Sequence, residues 1–555
     1  MRHVLSYQRE GMTRIVKALL QWLKSDRIML VNSGSLVGTT AVTSALGFVY
    51  WWVAARQFSP ESVGIASASV SAMMLLGSLC MLGLGTLLIT ELPRQPGQEV
   101  SLISTALVVV GGVGGGVGVL FAVVAPYVSA QFNPLKASIG DIIAFAVGVS
   151  LTAITLVLDQ ALIGILRGSL QFWRNTSFAV AKLLLLFMIS LFLSQKTGMT
   201  IYDAWALGIA LSLAVLLGFA IYKGGWPGKA ILPQWALLRK LGPVALQHHL
   251  LNLMIQAPTL LLPVLVTVML SAKANAWFYV SWMIANFVFV VPYALTTTLH
   301  AMTSAQQSSL QHRARITIGL AFVTSLVANC VLQLAAKQVL GLFGSSYAEQ
   351  AAWCLRILVL AAFPTVITSH YVSFCRIQDQ ITSAMRGMVV WGLLELAGAA
   401  LGVRLGGLLG LSLGLLLAAI VEAIFMFPTV YKVVRPVKSA LPVPVVDQGD
   451  YRETEAIWLA DTIMLAAISP SYTVGAQVAA YPKRIEPLPR RSIQQNDSSY
   501  AKSPLRPIRL QYLSYQQDMH MDITAIAEAD TEETIVCRAE RYRDPVIITP
   551  NGSRK

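Results

Sequence analysis

The sequence predicts an all-α polytopic membrane protein, with about twelve transmembrane helices in two pseudo-symmetric six-helix bundles around a central cavity. Three observations carry this. Only 12% of the 555 residues are charged, about half the share of a soluble globular chain. Apolar runs of a length that crosses a bilayer follow one another through residue 440. The two halves of that region also align with each other at a nearly constant offset.

The positive charge sits with the apolar region. Residues 1–440 hold 28 Lys and Arg against 12 Asp and Glu, whereas the tail from 441 holds 13 against 15. An anionic membrane surface accounts for that placement better than nucleic acid. Four of the five cysteines (Cys80, Cys330, Cys354 and Cys375, not Cys537) lie in apolar runs without metal-ligand spacing. They read as small apolar residues.

Residues 1–30 form a basic segment expected to be cytoplasmic. Within it "RIVKALLQWLK" puts Ile15, Leu19, Trp22 and Leu23 on one helical face. That is either an amphipathic helix lying on the leaflet or an ordinary positively charged flank. No cleavable signal peptide is recognised before the first span, which is expected to act as its own insertion signal.

The first bundle, 31–222, is expected to contain spans at 31–55, 62–90, 101–126, 141–166, 175–194 and 203–222. In the first, Asn32 is followed by Ser35, Thr39, Thr40, Thr43 and Ser44, a polar stripe. The third contains "GGVGGGVG", whose glycines suit close helix packing; mid-membrane and with no strand before it, this is no dinucleotide fingerprint. A linker, 223–242, leads to the second bundle, 243–435. Its spans are expected at 243–270, 276–303, 316–336, 351–375, 384–403 and 407–431, and the remainder, 436–555, reads as a mostly disordered cytoplasmic tail.

Orientation follows from the loops. Lys and Arg cluster before the first span and in alternate loops, at Arg94, Arg167, Arg174, Lys223, Arg239, Arg313 and Arg376 among others. The opposite loops carry single basic residues such as Lys136, Lys196 and Lys273. The positive-inside rule therefore predicts both termini on the cytoplasmic side.

"QFSPESVGIASASVSAMM" (57–74) aligns with "MLSAKANAWFYVSWMIAN" (269–286) at an offset of 212, with Ser59 on Ser271 and Ser69 on Ser281. "LIGILRGSLQ" around Arg167 resembles "YVSFCRIQDQ" around Arg376 at an offset of 209. Six spans repeated in the same orientation imply two bundles about an axis along the membrane normal.

The repeat gives meaning to the polar residues of the seventh span, "QHHLLNLMIQAPT". His249, Asn252, Gln256 and Thr259 recur at helical spacing, next to His248, and the offset places Thr40 on Asn252 and Ser44 on Gln256. Two equivalent stripes are expected to line a water-filled cavity; the plainer alternative is interhelical hydrogen bonding. Pro258 and Pro263 would bend this helix.

Ionisable residues within spans mark function by default. Lys182, amid "SFAVAKLLLLFM", either meets an anionic substrate or pairs with a carboxylate such as Asp159. Glu395 and Glu422 read as proton or sodium sites or as partners of Arg404, and His370 as a packing residue.

The opening spans, with "ARQFSPESVG", "GLGTLL" and "LRGSLQFWRN", resemble the bacterial polysaccharide-exporter and O-antigen flippase family, part of the multidrug/oligosaccharidyl-lipid/polysaccharide flippase superfamily. The resemblance spans about residues 30–435. It implies alternating access in the bacterial cytoplasmic membrane for a polyprenyl-diphosphate-linked oligosaccharide used in surface polysaccharide such as lipopolysaccharide. It further implies membrane lipids as surroundings, H+ or Na+ as a coupling ion, and polysaccharide assembly enzymes as partners. Lys182, His248, His249, Asn252 and Gln256 would then face the diphosphate and sugars.

Other classes fit less well. A cation-coupled multidrug antiporter of the same superfamily usually carries membrane acids in its first, seventh or eighth span, and this chain has none there. A polysaccharide polymerase or ligase needs a long extracytoplasmic loop, which is missing. No motif for an enzyme, cofactor, metal or nucleic acid stands out.

Overall fold

The computed structural model describes residues 27–193, 196–224, 235, 243–305, 310–378, 380–435, 535–537 and 546–548. The candidate amphipathic segment before residue 27 and most of the tail lie outside the described residues. Within the tail, β1 (Ile535–Cys537) and β2 (Val546–Ile548) pair antiparallel, with Val536 opposite Ile547.

Helices make up the membrane part. The first bundle comprises α1 (Arg27–Gln57), α2 (Pro60–Cys80), α3 (Leu84–Glu91), α4 (Glu99–Val128), α5 (Ile139–Gly164), α6 (Gly168–Phe192) and α7 (Gly198–Gly224). The second comprises α8 (Pro243–Met269), α9 (Ala272–Ala305), α10 (Leu310–Gly341), α11 (Ser345–Gln350), α12 (Ala352–Leu360), α13 (Ala362–Ile377) and α14 (Ile381–Val434).

Two expected spans are broken helices. The 62–90 span divides into α2 and α3 where Leu82 and Gly83 take φ values of 52° and 77°. The 351–375 span divides into α12 and α13 at Ala361, just before Pro364. Pro364 falls in the first turn of α13, where its missing N–H leaves the Leu360 carbonyl without its i→i−4 donor and the ladder is interrupted.

The 54-residue α14 is two antiparallel crossings, because Gly406 and Gly407 leave helical geometry and Gly407 sits at φ 57°. The two halves touch backbone to backbone. A Cβ on Gly402 would run into the Gly410 carbonyl, and a Cβ on Gly414 into that of Gly398. These glycines let the hairpin close without side chains between its arms. Ten described segments are long and apolar enough to cross a membrane, with Ala384–Val434 taken as one of them. Its second arm and α1 bring the crossings to twelve.

The internal repeat is visible in the helix caps. Ser59 at the start of α2 accepts from the Ser62 amide at 3.2 Å, and Ser271 at the start of α9 accepts from the Ala274 amide at 3.1 Å. Both pairs obey the 212 offset. An N-cap hydroxyl satisfies one amide left over at a helix start, so equivalent serines begin equivalent spans.

The bundles meet through α2, which packs against both α8 and α9. Small residues permit this: a Cβ on Gly64 would collide with the Ala272 carbonyl. At the same end of the molecule Trp52 Nε1 donates to the Leu342 carbonyl at 2.9 Å, and Phe48 packs edge-on against Phe343 with centroids 5.3 Å apart.

Candidate functional site

A cavity of about 420 Å³ lies between the two bundles. From α1, Thr43, Ser44, Gly47 and Trp51 reach its wall, one helical turn apart. From α8, His249, Asn252, Gln256 and Thr259 do the same. The two polar stripes therefore meet one space. Thr40 is buried but lies off the wall: the turn that faces the cavity begins at Thr43, whose hydroxyl donates back to the Thr39 carbonyl at 2.7 Å. Asn32 and His248 lie outside the residues whose side chains are described.

Lys182 reaches the same cavity from α6 and is only 2% exposed. Its position follows from Gly208 of α7, which presents no side chain, so the α6 backbone at Lys182 approaches closely. The ammonium sits in an aromatic cage, 3.4 Å from the Trp205 ring centroid, 4.6 Å from Phe178 and 5.2 Å from Tyr50. Such rings attract a cation through their quadrupoles. Among the described residues no carboxylate pairs with Lys182.

Asp159 is not its partner. Arg174 takes that place, with Nε donating to Asp159 Oδ1 at 3.0 Å and Nη2 to Oδ2 at 2.6 Å, while Asn175 Nδ2 adds a third bond at 3.1 Å. Arg174 was expected among the loop cations but is 5% exposed inside the first bundle. The fork geometry of guanidinium against carboxylate makes this the better match, because an ammonium cannot form two parallel coplanar bonds to the two oxygens. Asp159 therefore belongs to a structural pair off the cavity wall.

His370 also lies off the wall. Its Nδ1 is 2.7 Å from the Val366 carbonyl and its Nε2 is 3.1 Å from Thr317 Oγ1, so both ring nitrogens are engaged. Glu395 and Glu422, from the two arms of α14, both face the cavity beside Tyr293. Glu422 is 6% exposed. Arg404 is at the exposed end of the first arm and forms no ion pair with either.

Several wall residues went unrecognised as site residues in the sequence, Arg376 and Gln160 among them. Arg376, read as a loop cation, faces the cavity and donates from Nη2 to Asn252 Oδ1 at 3.0 Å. Its place at the same register as Arg167 in the other half was the available signal. Gln160, next to Asp159, also lines the cavity, and its Oε1 is a buried acceptor without a partner. Ser44 Oγ and His249 Nε2 are likewise unpartnered at the wall. Polar atoms left this way in a cavity are donors and acceptors available to a ligand or to water.

No protein-family model matches the chain, and no curated protein matches it in sequence. The fold is similar to an inward-facing structure of a multidrug resistance MATE family transporter of the MOP superfamily. That likeness has a TM-score of 0.57 at 16% identity, over 72% of this chain and 98% of that one. It is also similar to an outward-facing structure of a multidrug resistance MATE family transporter of the same superfamily, with a TM-score of 0.51 at 15% identity over 72% of this chain and 94% of that one. At such identity the likeness establishes a shared two-bundle fold.

Proposed function

We propose that this chain is a transporter, without enzymatic activity, that moves a polyprenyl-diphosphate-linked oligosaccharide across the bacterial cytoplasmic membrane by alternating access, for surface polysaccharide. The observation that carries this reading is Lys182: a buried cation, unpaired with any described carboxylate, in the wall of the central cavity. Arg376, His249, Asn252 and Gln256 face it from the second bundle, a set of donors suited to phosphate and sugar oxygens. Residues 31–222 and 243–435 are the two bodies that rock about the cavity, and both termini are cytoplasmic.

The cation-coupled multidrug antiporter is the second reading, and a specific observation favours it. Glu395 and Glu422 line the same cavity with no ion pair among the described residues. Under the first reading these carboxylates take the coupling H+ or Na+. Under the second they take the cargo.

Deleting the gene in its native host separates the two. Accumulated polyprenyl-diphosphate oligosaccharide with lost surface polymer supports the flippase. Unchanged lipid pools with new sensitivity to cationic dyes overturn it in favour of drug export.

A further inference from the structure

We infer that Lys182 is a tethered occupant of a cation-binding cage, and that this occupancy excludes cationic cargo from a cavity whose aromatic wall would otherwise take a quaternary ammonium group. The inference rests on the proposed transport of an anionic cargo and names the residue that sets the sign of that cargo.

The cage is built before any ligand arrives. Tyr50 is held by its hydroxyl, which donates to the Ile201 carbonyl at 2.6 Å. Trp205 meets Tyr50 edge-on at 5.2 Å and Phe178 edge-on at 5.7 Å between centroids. Each ring therefore braces another, and all three are buried. Rings arranged in this way around an ammonium are the chemistry that recognises choline-like and methylated-amine ligands.

Here the protein supplies the ammonium itself. The close approach of Gly208 pins the backbone at Lys182, so the side chain is delivered into the cage. Trp205 and Lys182 both line the cavity, which makes this the open side of the cage. A filled cage offers its own three rings to no external cation, and the Lys182 charge repels one there. An anion meets the opposite situation, since the ammonium has no carboxylate competing for it among the described residues.

The test uses the full chain, purified, with tetramethylammonium as the probe. Binding is read by equilibrium dialysis and by quenching of tryptophan fluorescence. Lys182→Ala empties the cage and should bind tetramethylammonium at least tenfold more tightly than the wild type. Lys182→Met refills the cage with a neutral side chain and should stay as weak as the wild type. Adding Trp205→Leu to Lys182→Ala should abolish the gained binding.

A folded Lys182→Ala protein that binds no better than the wild type overturns the inference. So does an equal gain in Lys182→Met, which would show that charge alone matters. The wild type provides a check that no folding defect can blur: saturable tetramethylammonium binding as tight as in Lys182→Ala also overturns it. Binding of undecaprenyl diphosphate from vesicles to the wild type is measured alongside. Its absence together with cation binding in Lys182→Ala would sink the anionic-cargo reading and leave the cage inference standing.

Discussion

The side-chain amide of Asn275 donates to the Gly64 carbonyl at 2.8 Å and to Ser67 Oγ at 3.0 Å, joining the first turns of α9 and α2 across the two bundles. Both helices start at the end of the molecule where Trp52 reaches Leu342 and Ala272 N donates to Gln131 Oε1 at 3.4 Å. Under the proposed alternating access, opening at this end must break these contacts.

Asn275→Ala should loosen that closure. Each hydrogen bond to a neutral group contributes about 1 kcal/mol, so the open population should rise roughly fivefold or more. Spin labels on Gln57→Cys and Lys273→Cys, in a background lacking the native cysteines, would report it. An unchanged distance distribution between them would show that Asn275 does not hold this end closed.

The Asp159–Arg174 pair should behave as a buried structural pair. Asp159→Asn leaves the Arg174 charge uncompensated and should destabilise by about 3–5 kcal/mol, whereas replacing both residues with Leu and Met should recover most of the loss. Thermal unfolding in detergent measures this. A wild-type midpoint for Asp159→Asn would refute it.

Cysteine substitutions should map the cavity wall. Gln256→Cys and Ser44→Cys should react with a water-soluble thiol reagent at least tenfold faster than Thr40→Cys or Thr317→Cys, because the first two positions line the cavity and the other two do not. Equal protection of all four would leave no aqueous cavity at this place.

Gly402→Leu should be more damaging than its apolar setting implies. The added side chain meets the Gly410 backbone and forces the arms of α14 apart, and overpacking of this kind costs about 1–3 kcal/mol or more. Gly407→Ala should cost about 1 kcal/mol through its left-handed backbone alone. The yield of monodisperse protein on size exclusion would rank them, and a wild-type yield from Gly402→Leu would contradict the packing.

Much of the architecture was legible because a bilayer is a strict solvent. It demands about 20 apolar residues per crossing and internal pairing of every backbone group. The spans, the repeat and the α8 stripe from His249 to Thr259 could therefore be read from composition and period. The breaks at Leu82 and Ala361 are less visible, because two left-handed residues in one and an interrupted turn in the other barely disturb an apolar run.

Charged side chains are where one-dimensional reading failed. Arg174 and Arg376 both looked like loop cations at span ends, yet one is locked onto Asp159 and the other faces the cavity. Of the two readings open for Glu395 and Glu422, proton or sodium sites or partners of Arg404, the ion pair with Arg404 does not form among the described residues. Ion pairs depend on distances of a few ångströms between different helices, and sequence spacing is silent about those.

By itself the sequence determined a twelve-span, two-bundle membrane protein, its repeat, and the polar residues that needed satisfying within the apolar spans. Hydrophobic length, periodicity and charge asymmetry are local properties, readable along one chain. Only the tertiary structure decided which of those residues share a space. It gave Asp159 to Arg174 and both nitrogens of His370 to neighbours, and it left Lys182 at the cavity wall with three aromatic rings and no described counter-ion. The physical reason is that a buried charge is stabilised by whatever is packed against it, and packing is settled between helices far apart in sequence.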